Sequence, residues 1–190
     1  MLTYFGAKNV RIMNGGMKKW LKEGRRTFDG EYIPGKGLPR YGNYNFGVEI
    51  PKAFITDVKK VHKAQEETKR GLCGWQIIDT RHHDKFNESG QIEGSINIPT
   101  SLFVDETSGC LKSNTHFRTV FDSYHMKLSK PTVYSSSTSV NSCIVDLAWS
   151  IIGGKKAAIF DGGYKEYRQH EAPDLSKIER IAKDLSEEFK

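Results

Sequence analysis

Pro131-Thr132-Val133-Tyr134-Ser135-Ser136-Ser137-Thr138-Ser139-Val140-Asn141 is the stretch on which the fold turns. Pro131 to Ser135 reads as a short buried strand, and the hydroxyl-rich run after it as a loop. A strongly apolar helix is expected over 140–152, with Val140, Ile144, Leu147, Ala148 and Ile151 on one side. Ala157-Ala158-Ile159-Phe160 is another buried strand, closed by the turn Asp161-Gly162-Gly163.

The same grammar extends toward the N-terminus. Trp75-Gln76-Ile77-Ile78 is a short apolar strand ending at Asp79. Gly90 to Pro99 holds a second, Ser95-Ile96-Asn97-Ile98, and a helix over 114–124 follows a turn at Gly109. Upstream, Thr56 opens a helix over 56–69 through Val58, Val61 and Ala64. Strands alternating with helices predict an α/β fold, a parallel sheet with helices on both faces.

Composition narrows the classes. The 190 residues are 37% hydrophobic and 11% aromatic, enough for a core. No apolar run approaches the ~20 residues of a membrane span, so no transmembrane segment is expected. Three cysteines make no disulfide framework, and none has metal-ligand spacing. Lys and Arg number 29 against 23 Asp and Glu, a net charge of +6, but no arginine-rich tract carries interleaved aromatics. Nucleic acid is therefore not expected as a partner.

Residues 24–47 carry many Gly and Tyr and poor periodicity, as a linker does. The first twenty-two residues contain no Asp or Glu, which is how a transit peptide reads. They also spell a folded unit, preferred here. Asn9 to Met13 alternates like a strand, Asn14-Gly15-Gly16 is a turn, and Met17, Trp20 and Leu21 have helical spacing. That unit repeats in kind at 157–170, where Asp161-Gly162-Gly163-Tyr164 takes the place of Asn14-Gly15-Gly16-Met17. At the far end, Ser176 and Glu179 make a capping box for a helix bearing Ile178, Ile181, Leu185 and Phe189.

Four stretches carry a resemblance to the tandem rhodaneses, the thiosulfate and mercaptopyruvate sulfurtransferases. They are Asn14 to Leu21, Ile78-Asp79-Thr80-Arg81, Gly90 to Pro99, and Asp161 to Tyr164. The resemblance implies four parts: residues 1–24 as the last strand and helix of a preceding repeat, 25–70 as linker and helix, 71–170 as a rhodanese-like domain, and 171–190 as an amphipathic C-terminal helix.

Family members carry sulfur as a persulfide on a cysteine that opens the loop between a strand and a helix. The resemblance puts that position at Ser136, where a hydroxyl forms no stable persulfide. The candidate anion-binding loop is Ser136, Ser137, Thr138, Ser139, Val140 and Asn141, whose N–H groups would face an anion. A glycine is expected at Ser139, so serine there implies a changed loop shape. Two departures argue for natural loss rather than a one-residue engineered trap. Arg81 is either a substrate-binding arginine, as the resemblance implies, or one half of an ion pair. Cys143 reads as a small core residue, Cys110 and Cys73 as loop thiols, and His82-His83-Asp84 as a solvated helix start rather than a metal site.

The expectation that follows is a catalytically inactive rhodanese-like protein without cofactor or metal. It would serve as an accessory subunit of a larger, mitochondrial assembly and meet other protein subunits through residues 9–21 and 176–189. The alternatives are an active thiosulfate or 3-mercaptopyruvate sulfurtransferase, in mitochondria or cytoplasm, and an anion-binding module built on the loop.

Overall fold

The computed structural model describes residues 7, 9–28, 30, 55–71, 74–155 and 157–171. Cys73 and the helix expected over 176–189 lie outside the described residues, as does most of the 25–54 stretch. In chain order the elements are α1 (Gly16–Lys22), β1 (Ile55–Thr56), α2 (Val58–Lys69), β2 (Gln76–Asp79), α3 (His83–Glu88), β3 (Ile96–Asn97), a 3₁₀ turn (Thr100–Leu102), α4 (Asn114–Ser123), β4 (Thr132–Ser135), α5 (Ser142–Ile151), β5 (Ala158–Phe160) and α6 (Gly163–Glu171).

Five strands form one sheet in the order β1-β5-β4-β2-β3, and every neighbouring pair is parallel. β4 lies at the centre. Its four residues pair with the whole of β2, Gln76 opposite Thr132 through Asp79 opposite Ser135. All four residues of β2 and all four of β4 are buried, as strands covered on both faces must be. Alternation sends Ile77, Val133 and Phe160 to one side, against Val58, Val61 and Ala64 of α2 and Tyr167 of α6. Ile78 and Tyr134 face the other side, against Phe117 and Phe121 of α4 and Val145, Ala148 and Trp149 of α5. Phe121 meets Trp149 edge-on with ring centres 4.8 Å apart, the arrangement that the ring quadrupoles favour. Parallel sheet and two helical layers are as the periodicity predicts.

Several details differ. Asp57, not Thr56, caps α2: its carboxylate accepts from the Lys60 N–H at 3.0 Å, and Thr56 belongs to the edge strand β1. Two-residue β1 left no periodic signal. The buried face of α5 is Ser142, Val145, Ala148 and Trp149, continued by Ile152 just past its end. Val140 is 71% exposed and Ile151 42%. On a helix apolar nearly all round, i/i+3/i+4 spacing fits more than one stripe, and the packing of Trp149 against Phe121 selects one. Cys143 consequently lies exposed on α5 rather than in the core.

The N-terminal segment also departs from expectation. α1 forms, but residues 10–13 make no strand, and α1 has no buried residue. A strand is held by ladder partners, and no described strand lies beside this stretch. Trp20 is half-buried, its indole N–H donating to the Arg26 carbonyl and its ring under the Arg25 guanidinium. The unit touches the domain through polar contacts. The Leu111 N–H donates to Asn14 Oδ1 at 2.7 Å, and Lys18 Nζ donates to the Glu106 carbonyl at 2.9 Å. No helix among the described residues is long and apolar enough to cross a membrane.

One core-side group titrates in an accessible range. Burial pushes the Asp146 carboxyl on α5 up to about 6. A raised folded value means that the fold prefers the protonated form. The stability it contributes is full below about pH 4 and is lost as pH rises through about 6. Stability should therefore fall by about 2 kcal/mol between pH 4 and pH 7 on this account. Asp146→Asn should flatten that part of the profile, and urea melts at the two pH values measure it. An unchanged slope in the variant would remove Asp146 as the source.

Candidate functional site

The hydroxyl loop leaves the C-terminal end of the central strand β4, between the ends of β2 and β5, and runs into the N-terminus of α5. Its start is fixed on two sides. The Ser135 carbonyl accepts from both the N–H and the hydroxyl of Thr80, at 2.8 and 3.1 Å. The Ser136 carbonyl accepts from the Tyr164 N–H at 2.7 Å. That second contact needs Gly163, because a Cβ there would lie 2.3 Å from the Ser136 oxygen. The far end of the loop is tied by Thr100 Oγ1, which donates to the Thr80 carbonyl at 3.1 Å and reaches the Asn141 carbonyl at 3.5 Å.

Ser139 takes the left-handed backbone, φ +60°. The loop thus keeps the tight turn expected of a glycine. The strain of a Cβ residue in this region, about 1 kcal/mol or more, is offset by the buried bond from Ser139 Oγ to the Phe160 carbonyl. The expectation of an altered loop shape does not hold at this residue.

Among the described residues, no carbonyl or side chain accepts from the N–H groups of Ser137 to Ser142. A row of unpaired N–H groups leading into a ten-residue helix is what an anion needs. Ser136 is 2% exposed, Ser139 is buried, and Ser137, Thr138, Val140 and Asn141 are exposed. The loop contains no thiol. Cys143 Sγ points back to the Ser139 carbonyl at 3.7 Å, and partial desolvation of the sulfur on this otherwise exposed residue, then the nearby Asp146 charge, push its thiol up and disfavour the thiolate. Cys110 lies elsewhere, in the loop that receives α1.

Arg81 is a buried partner of Asp79. Its Nε donates to both carboxylate oxygens at 2.9 Å and its NH2 to Oδ2 at 2.6 Å, with side-chain exposures of 4% and 0%. NH2 also donates to the Gly90 carbonyl at 2.8 Å. The guanidinium carbon lies 3.8 Å from the centre of the Tyr164 ring, and the Tyr164 hydroxyl donates to the Ser89 carbonyl. These bonds make Arg81 a brace between β2, the 90-loop and α6.

Beside the loop opens a cleft of about 420 Å³, lined by Ser137, Arg81, Lys85, Tyr164, Lys165 and Arg168 among others. Composition gave no hint of it: Lys85 and the α6 pair are eighty residues apart in sequence. The only local signal was the i, i+3 spacing of Lys165 and Arg168. His82 caps α3, and His83 bonds through Nδ1 to Asn97 Oδ1. The Asn97 amide N–H groups already donate to the Asp79 and Arg81 carbonyls, so His83 is the donor. No group of three or more His, Cys, Asp or Glu among the described residues converges as a metal site.

With this geometry in place, the comparisons are specific. The family described as "Rhodanese-like domain" matches residues 58–170. The thiosulfate sulfurtransferase of Gallus gallus is 29% identical over 189 residues, covering 95% of this chain and 61% of that protein. The 3-mercaptopyruvate sulfurtransferase of Homo sapiens is 27% identical over 184 residues, 92% of this chain and 58% of that one. Among solved structures, the 3-mercaptopyruvate sulfurtransferase SseA of Escherichia coli superposes with a TM-score of 0.72 at 26% identity, over 86% of this chain and 59% of that chain. The chain thus spans about three fifths of the length of the curated relatives it matches.

Proposed function

Because the chain belongs to the rhodanese-like family, we propose that it is a member without the sulfur carrier, binding an anion at the 136–141 loop while transferring no sulfur. One observation carries this. The residue that leaves the central strand and opens the loop is Ser136, and a hydroxyl there offers neither a thiolate to attack a sulfur donor nor a sulfur on which to hold a persulfide. The unpaired N–H groups of Ser137 to Ser142 support retained anion binding.

A role as accessory subunit is part of the same proposal. It is supported by the apolar side chains left open on the N-terminal unit, with Ile12 66%, Met13 50%, Met17 56% and Leu21 57% exposed. The mitochondrial location rests on the resemblance alone, and cell fractionation tests it.

The purified chain should show no thiosulfate:cyanide or mercaptopyruvate sulfur transfer above buffer, and mass spectrometry after thiosulfate should find no added sulfur. Turnover abolished by replacing Cys73, Cys110 or Cys143 would refute the proposal and return the chain to the active sulfurtransferases.

A further inference from the structure

We infer that Lys165 and Arg168 form a second anion-binding bank facing the loop, so that the cleft takes an elongated ligand with an anionic group at each end: a phosphate ester bearing a carboxylate further along its body. This rests on the loop reading above and names the class of ligand for that site.

Some of the surface cations have a carboxylate partner. On α2 and beside it, Lys63 pairs with Glu67, Arg70 with Glu66 and Lys69 with Glu93. Lys85, Lys165 and Arg168 line one cleft, and no carboxylate among the described residues pairs with them. The carboxylate next in sequence, Glu166, turns to the opposite side of α6. There it reaches His170 at 3.8 Å and lines a different cleft with Asp57, Lys60 and Asp161. Glu166 is therefore turned away from Lys165 and Arg168. Cations gathered without a counter-charge repel one another, and an anionic ligand relieves that repulsion.

Size selects an elongated ligand. An oxyanion of five heavy atoms, at roughly 30 Å³ each on the scale of a water molecule, fills well under half of the 420 Å³. Ser137 joins the loop to the cleft, being exposed and on its wall. A tetrahedral oxyanion on the loop N–H groups leaves the rest of the cleft to the ligand body. The Tyr164 ring and the lysine stems supply the apolar wall, and Lys165 and Arg168 remain to meet a second acid. The ester belongs either to a free small molecule or to a phosphorylated side chain, and the chemistry is shared.

Titration calorimetry of the full chain at low salt tests this with three probes: inorganic phosphate, 3-phosphoglycerate and an acetylated phosphoserine-glutamate peptide. 3-Phosphoglycerate or the peptide should bind about tenfold or more tighter than phosphate, and the tighter of the two identifies the source. The double variant K165A/R168A, altered only at exposed positions, should reduce that binding to the level of phosphate and leave phosphate itself nearly unchanged. Ser137→Glu, which places a carboxylate at the loop mouth, should weaken every probe about tenfold or more. Equal affinity for short and elongated probes, or an unaffected double variant, would overturn the second bank. If the double variant loses the elongated probe while Ser137→Glu changes nothing, the α6 bank stands and the loop reading falls.

Discussion

Arg81→Met should cost the fold about 3–5 kcal/mol, a large part of the 5–15 kcal/mol that holds a domain of this size together. The physical reason is the state in which it leaves Asp79. That carboxylate has 0% side-chain exposure, and its charge is matched by three contacts from the guanidinium. Removing the arginine leaves a buried charge with little beyond the Arg81 N–H to satisfy it. It also uncovers the Tyr164 face and frees the Gly90 carbonyl. A second substitution separates the pair from its parts. Asp79→Leu with Arg81→Met removes both charges and should recover most of the loss, because the ion pair as a whole contributes far less than either half costs when stranded. Urea denaturation of the two variants decides it. A double variant as unstable as the single would show that the cost lies in lost packing.

Gly163→Ala should cost about 2–4 kcal/mol and weaken phosphate binding at the loop. Left-handed backbone accounts for about 1 kcal/mol of this, since φ is +59°. The larger share is contact. The new Cβ would stand 2.3 Å from the Ser136 carbonyl oxygen and 2.9 Å from that of Ser137, and these are backbone atoms with nowhere to rotate. Relief means moving the loop or lengthening the Tyr164 N–H bond to Ser136. Gly16 is the internal control. It is the counterpart of Gly163 in the repeated turn, with φ +53°, yet nothing lies within 4 Å of a Cβ there. Gly16→Ala should cost only about 1 kcal/mol and leave anion binding untouched. Equal effects at both glycines would show that backbone conformation alone matters at 163.

These two expectations mark the boundary between what the sequence determined and what tertiary structure decided. The alternation of short apolar strands with helices determined a parallel sheet covered on both faces. Hydrophobic period and glycine turns are local properties, readable wherever a segment is long enough to show them. The loop after β4 and its hydroxyl chemistry were equally local, as was the serine that opens it. The two-residue β1 was too short to carry a period. The face of α5 was ambiguous, because Val140, Ile144 and Ile151 are as apolar as Val145 and Ile152, and only contact with Phe121 and the sheet chose between them. The role of Arg81 hung on where its carboxylate lay. Asp79 two residues earlier looks like any neighbour until the strand end buries both side chains together. The cationic cleft needed α3 and α6 brought side by side from eighty residues apart. The repeated Asn/Asp-Gly-Gly turns show the limit most sharply. The chain writes the same turn motif twice, and in both copies a helix starts at the second glycine with a left-handed φ. Only the second is flanked by a strand with a ladder partner and by a loop pressed against its glycine. Local sequence sets where the turn ends and the helix starts; what a residue costs or recognises is set by the atoms that the rest of the chain brings to it.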